Sequence, residues 1–321
     1  MAPPLRKLNM IVTLGEILAE ILATRRGQTF LAPGTLIGPY PSGAPAIFID
    51  QVARLGQACA MIGCIGADDF GTLNIERLRT DGVDVSAIEI HPDVPTGTAF
   101  VTYQENGERH FVFNIRHSAS GHLKLGRPAR SMIEHCDHLH VMGSSLFAPG
   151  LVEATRTAVE QVKQRGGSIS FDPNIRSELS KGSTLAAFFN FVLDHCDILL
   201  PSGSELQLLT SVDAERPAIA ALLGRGIAAI VVKAGAEGAR YYDRDSSMVS
   251  PAFHVEEVDP TGAGDCFGAT FIVCRLLGKD VTESLRYANA AGARAVMVRG
   301  PMEGVSTFSE LDAFMAEQVR R

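Results

Sequence analysis

The sequence predicts an α/β protein: a mostly parallel central sheet flanked by helices, with a small second β-sheet acting as a lid. Three observations carry this expectation. Short apolar runs alternate with longer segments of helical period, which is the rhythm of βαβ units. Two segments break that rhythm, the second with period-two alternation, and a glycine-rich turn opens a long apolar helical stretch towards the C-terminus. With 321 residues, 46% of them hydrophobic, the chain can bury a substantial core, and residues 1–321 read as one domain.

Strands of the parallel sheet are expected at Ile11 to Leu14, Cys59 to Ile65, Leu139 to Met142, Ser168 to Phe171, Ile198 to Leu200 and Ile227 to Val232. Helical patterns fall between them at Ile47 to Leu55, Phe70 to Asp81, Leu151 to Arg165 and Ala218 to Leu223, usually ending near a glycine. The crossovers should be right-handed. The irregular segments are about 20–40 and 96–116. In the second, Thr98, Phe100 and Thr102 alternate with Ala99, Val101 and Tyr103 ahead of Asn106-Gly107, a strong hairpin signal. These two segments are expected to pair as the small sheet, covering one edge of the α/β core above the ligand site.

A formal charge of -7 with dispersed Lys and Arg provides no basic stripe for a phosphate backbone, so nucleic acid is not an expected partner. The longest charge-free stretch, Gly27 to Ile49, carries Pro33, Pro39, Pro41 and Pro45, which a membrane helix would not keep. Glu16 and Glu20 interrupt the N-terminal apolar run too early for a secretion signal. Six cysteines without disulfide or zinc spacing read as reduced thiols, consistent with the cytoplasm.

The stretch Asp259-Pro260-Thr261-Gly262-Ala263-Gly264-Asp265, followed by the apolar segment Cys266 to Leu277, holds most of the chemical information. Glycines just before a helix leave N–H groups facing outward, and the helix dipole adds potential favourable to an anion. An acid there stays ionised, so Asp265 can accept a hydroxyl proton where an anion is held, a phosphoryl-transfer arrangement. Other phosphate motifs fail. Position 267, where a dinucleotide fold needs its third glycine, is Phe267, and G-x-x-x-x-G-K-[ST] occurs nowhere.

The run Asp259 to Asp265 closely resembles the C-terminal signature of the ribokinase-like, or PfkB, carbohydrate kinases. The resemblance extends along the chain through Gly15-Glu16, Ser42-Gly43-Ala44-Pro45-Ala46, Gly66 to Gly71, Asp172 to Arg176, Pro201 to Glu205, Lys233 to Gly238 and Ala288 to Gly292. It implies ATP over the C-terminal half of the sheet and a small sugar beneath the lid, with the γ-phosphate between them. Asp265 would then deprotonate a primary hydroxyl, with Gly262, Ala263 and Gly264 forming the anion hole. Ser202, Lys233, Gly235, Gly238 and Asn289 would border the nucleotide; the lesser alternative for Lys233 is a strand end in solvent. Glu205 matches a glutamate that places hydrated Mg2+ through water. Its motif reads Ser202-Gly203-Ser204-Glu205, with serine in the usual asparagine position. Members of the family also bind a monovalent cation such as K+ near the segment around Asp259.

At the sugar end the resemblance implies contacts from Glu20, Gly43, Ala44, Arg116, Arg176 and Asp265. Ile47 stands at the family's asparagine position, and Glu20 where fructokinase-like members carry aspartate. The expected acceptor is a ketohexose such as tagatose or fructose. Arg116 and Arg176 suggest the alternative of a sugar acid, 2-keto-3-deoxygluconate, held bidentately. A regulator that binds sugar and nucleotide without transfer belongs to a different class, and the complete motif around Asp265 argues against it. Unpaired sheet edges predict a homodimer through the lid. His138 and His140 share one strand face and read as structural, while Ser144 and Ser145, which lack a nucleophile-elbow motif, are expected to line the cleft.

Overall fold

The computed structural model describes residues 10–106, 108–175 and 183–319. Its strands are β1 (Ile11–Leu14), β2 (Leu18–Arg26), β3 (Leu36–Ser42), β4 (Cys59–Gly66), β5 (Asp84–His91), β6 (Gly97–Tyr103), β7 (Arg109–Asn114), β8 (His138–Met142), β9 (Ser168–Asp172), β10 (Ile198–Leu199), β11 (Ala229–Lys233), β12 (Ala239–Tyr242) and β13 (Ser247–Ser250). Nine form the large sheet in the order β13-β12-β11-β10-β9-β8-β1-β4-β5. Every pairing from β11 to β5 is parallel, and β12 and β13 add an antiparallel edge that the apolar-run pattern did not reveal.

The central strands are apolar because helices cover both faces of the sheet. Alternation then sorts their side chains. Ile11 and Met61 point into one core with Phe48 and Phe271, while Val12, Leu14, Ala60 and Ile62 point into the other. Each fully buried large side chain contributes roughly 1.5–3 kcal/mol of transfer free energy. Local chemistry sets the helix ends. Asp68 accepts from the Gly71 N–H at 2.8 Å at the start of Asp69–Asp81, and Gly82 ends that helix at φ 102°.

The two segments that broke the rhythm form a second sheet, β3-β2-β6-β7. The hairpin at Asn106 is present: β6 and β7 run antiparallel with Tyr103 opposite Arg109, and Gly107 itself lies outside the described residues. β2 and β6 pair in parallel, so this sheet is mixed. Leu18, Leu22, Ala99, Val101, Phe111 and Ile115 bury its inner face as a separate apolar cluster.

His138 and His140 are fully buried in β8. His138 bonds to the hydroxyls of Ser168 and Ser170 at 2.7 and 2.8 Å, and His140 bonds to Ser170 at 2.8 Å and stacks on Phe48. Burial pushes the His138 pKa down to about 4, so the imidazole is a neutral structural group at physiological pH. Among the described residues no helix is long and apolar enough to cross a membrane.

Candidate active site

The order of the large sheet reverses at β1, which has β4 on one side and β8 on the other. In an open α/β sheet the crevice for ligands lies beyond the carboxyl ends of the strands at such a reversal. A cavity of about 490 Å³ lies there. Glu16 enters it just after β1, Ser144 after β8, Asp172 at the end of β9, Ser202 after β10 and Lys233 at the end of β11. The small sheet contributes Leu18, Glu20, Arg109, Phe111 and Phe113 from above. A second cavity of about 340 Å³ is lined by Gly235, Gly238, Phe253, Phe267, Asn289 and neighbours. The two cavities meet at Lys233, Gly235, Pro260 and Gly264.

At that junction helix Ala263–Leu276 begins. Gly262 caps it at φ 81°, and a β-carbon there would lie 2.4 Å from the Pro301 carbonyl, so the turn requires glycine. The first intrahelical bond is from the Cys266 N–H to the Gly262 carbonyl at 2.8 Å. Glycine has no side chain to cap the turn, so the amides of Ala263, Gly264 and Asp265 are presented at the positive end of the helix, where an anion is favoured. Asp265 is the third helical residue, 9% exposed, and lines the larger cavity. Asp259, fully buried, braces the turn by accepting from the Thr261 N–H at 3.1 Å, the Thr261 hydroxyl at 2.7 Å and the Gly300 N–H at 3.1 Å.

Lys233 ends β11 in an ion pair with Asp172, inside the site and not in solvent. Its amine would lie 3.6 Å from a β-carbon at Gly264. Burial works against the charged amine, but the carboxylates of Asp172 and Glu205 outweigh it and hold the Lys233 pKa above the ordinary lysine value. Ser202 caps helix Gly203–Thr210, and Glu205 turns back to accept from the Ser202 N–H at 2.6 Å and from the Ile175 N–H at 2.7 Å. Glu205 therefore organises the floor of the cavity through main-chain amides.

At the other end, Glu20 is buried and accepts from the Ser42 hydroxyl at 2.6 Å. Gly43 has φ 116°, and a β-carbon there would meet the Glu16 carbonyl at 2.5 Å. Ala44 and Ile47 complete this wall. Glu16 is 3% exposed, and its carboxylate accepts hydroxyl bonds from Ser144 at 2.8 Å and from Ser145.

Most of the expected site residues converge on these two cavities. Asn289 reaches the smaller one, and its amide donates to Ser250 and Pro251, tying its helix to the end of β13. Arg116 does not converge. Ile115 takes the buried position after β7, and Arg116, next in sequence, turns outward and lines neither cavity. Arg176 lies outside the described residues. Among the described residues, the arginine that lines the large cavity is Arg109, seven residues earlier, which donates to the Thr261 hydroxyl at 2.9 Å. Its place at the start of an alternating strand was a signal available in the sequence. Glu16 was legible only as part of a motif, because the serines that orient it are more than a hundred residues away.

The described residues contain no cluster of three His, Cys, Asp or Glu side chains shaped to hold a metal ion. Carboxylates already engaged by amides and by Lys233 fit a hydrated magnesium ion that arrives with its ligand and keeps its waters.

Comparison with known proteins accords with this geometry. A family model described as pfkB family carbohydrate kinase matches residues 9–307. Fructokinase-1 of Zea mays is 32% identical, covering 94% of this chain and 96% of its own length. A candidate Ribokinase II from E. coli, solved with ATP and Mg2+, is 48% identical with a TM-score of 0.91, covering 97% of this chain and 100% of its own. A fructokinase double mutant from Vibrio cholerae O395, bound to fructose, ADP and potassium, is 29% identical with a TM-score of 0.85, covering 96% and 98%.

Proposed function

This chain belongs to the pfkB family of carbohydrate kinases and is a sugar kinase, and we propose that it transfers the γ-phosphate of ATP to a primary hydroxyl of a ketohexose of the fructose type. The observation that carries the reading is the position of Asp265, at the N-terminus of a helix whose first-turn amides open where the two cavities meet. The largely apolar cavity at Gly235, Gly238 and Asn289 suits the adenine base. The polar cavity beneath the small sheet suits the sugar, and that sheet acts as its lid.

In this mechanism Asp265 takes the proton of the sugar hydroxyl as that oxygen attacks the γ-phosphorus. The bond to the β-phosphate oxygen breaks and ADP leaves. The amides of Ala263, Gly264 and Asp265 and the Lys233 ammonium face the charge that develops on the transferring group. Glu205 and Asp172 would hold magnesium through its water shell, and the ion would neutralise charge on the β- and γ-oxygens. Asp259 accepts two hydrogen bonds at one carboxylate oxygen and one at the other, so the second oxygen keeps a lone pair for a potassium ion beside this segment. Neighbours that bind ATP with magnesium, and ADP with potassium, support these assignments.

Glu16 and Glu20 are buried at the sugar end of the cavity, where carboxyl oxygens suit sugar hydroxyls, and Arg116 lines neither cavity, which supports a neutral sugar. Fructose is favoured over tagatose by the fructokinase relatives. The test is ADP release with MgATP across fructose, tagatose, 2-keto-3-deoxygluconate, ribose and adenosine, run in potassium and in sodium. The expected result is turnover with fructose, faster in potassium, and none with 2-keto-3-deoxygluconate. Preference for the sugar acid would overturn the assignment, and silence across the panel with ATP still bound would favour the non-transferring regulator.

The small sheet exposes Leu36, Ile37 and Val112, and the β2–β3 loop exposes Leu31, which supports a homodimer through this surface. Light scattering at micromolar concentration should give twice the chain mass, and a monomer there would remove the proposal. The six cysteines are buried free thiols, which supports a cytoplasmic setting where ATP is at hand.

A further inference from the structure

Arg109 and Thr261 are 152 residues apart in sequence and meet across the mouth of the larger cavity, one on the small sheet and the other in the glycine turn. Arg109 is half-buried, with its guanidinium 5.3 Å from the centre of the Phe111 ring. It donates to the Thr261 hydroxyl at 2.9 Å, and that hydroxyl donates to Asp259 at 2.7 Å. Asp259 is fully buried and, among the described residues, has no direct ion pair with Lys or Arg. The chain of guanidinium, hydroxyl and carboxylate therefore aligns the hydroxyl dipole between a positive charge and a buried carboxyl group. It is a polar tie between the small sheet and the turn that presents the first-turn amides, beside the Tyr103 hydroxyl of β6, which also faces Asp259.

We propose that Arg109 is a positioning residue for phosphoryl transfer: it fixes the Asp259–Gly262 turn through Thr261 only while the small sheet lies across the cavity, and so couples coverage of the sugar to readiness of the anion site. The inference rests on the kinase reading above. Without Arg109 the Thr261 hydroxyl still reaches Asp259, so the turn survives but loses this charged tie to the sheet. A displacement of about 1 Å in such a site lowers turnover by up to about a hundredfold.

The test compares Arg109→Met, Thr261→Val, the double variant and Thr261→Ser in the full chain, with MgATP and the best sugar of the panel. Deuterium exchange of the segment 258–266 is measured alongside, without ligand. Arg109→Met should melt within a few degrees of the parent and lose about tenfold to a hundredfold in kcat, with both KM values within about threefold. The double variant should be no slower than the slower single variant, Thr261→Ser should keep near-parent turnover, and exchange should quicken in Arg109→Met. Multiplicative losses in the double variant, a raised sugar KM at unchanged kcat, or unchanged exchange would each overturn the proposal. If the parent turns over no sugar, the kinase reading fails, and the exchange result alone decides whether Arg109 holds the turn.

Discussion

Replacing Asp265 by Asn should lower kcat by about a thousandfold while leaving the KM for ATP and sugar within about threefold. Asn has the same shape and still bonds to a hydroxyl, but it cannot take a proton from one. The Gly262 turn and the first-turn amides do not depend on the carboxylate, so the anion site should survive. The acid interacts favourably with the helix N-terminus by only about 0.3–1 kcal/mol, and the melting temperature should move little. Steady-state kinetics with calorimetric ATP binding would check this. Near-parent turnover would remove Asp265 as the base, and lost ATP binding would mean that the carboxylate shapes the site instead.

Lys233→Met should act on both stability and turnover, and a second substitution should separate them. Asp172 is 2% exposed on its side chain and Lys233 17%, so the single change leaves a buried carboxylate without its partner. Such a loss costs about 3 kcal/mol, visible as a lower urea midpoint. Turnover should fall about a hundredfold, the scale of losing one electrostatic contact to the transition state. Adding Asp172→Asn removes the stranded charge, so the double variant should regain most of the midpoint but none of the turnover. Recovery of both would make Lys233 a purely structural counter-ion. An unchanged midpoint in the single variant would show that Asp172 is readily hydrated or protonated.

These two predictions also mark how much of the site could be read directly. Asp265 and the turn before it are legible because the determining features are adjacent: glycines that allow φ 81° without a steric clash, an acid three residues into a helix, and an apolar run that continues it. The parallel strands are legible for a similar reason. Ile11–Leu14 and Cys59–Gly66 are apolar on both faces, which only a sheet covered on both sides requires. Arg116 was expected at the substrate from its motif; it lies in the turn after β7, exposed next to the buried Ile115, and lines neither cavity.

By itself, then, the sequence determined the α/β class, the expected strands of the parallel sheet, the hairpin at Asn106 and the glycine turn that opens a helix with an acid in its first turn, since capping, periodicity and turn chemistry act over a few residues. The tertiary structure alone decided that β12 and β13 close one edge antiparallel, that Ser144 and Ser145 orient Glu16, that Lys233 pairs with Asp172, and that Arg109 rather than Arg116 reaches the cavity. Those outcomes depend on strand order and on which strand ends lie side by side. Contacts between groups 61, 128 or 152 residues apart arise only once the whole sheet has assembled.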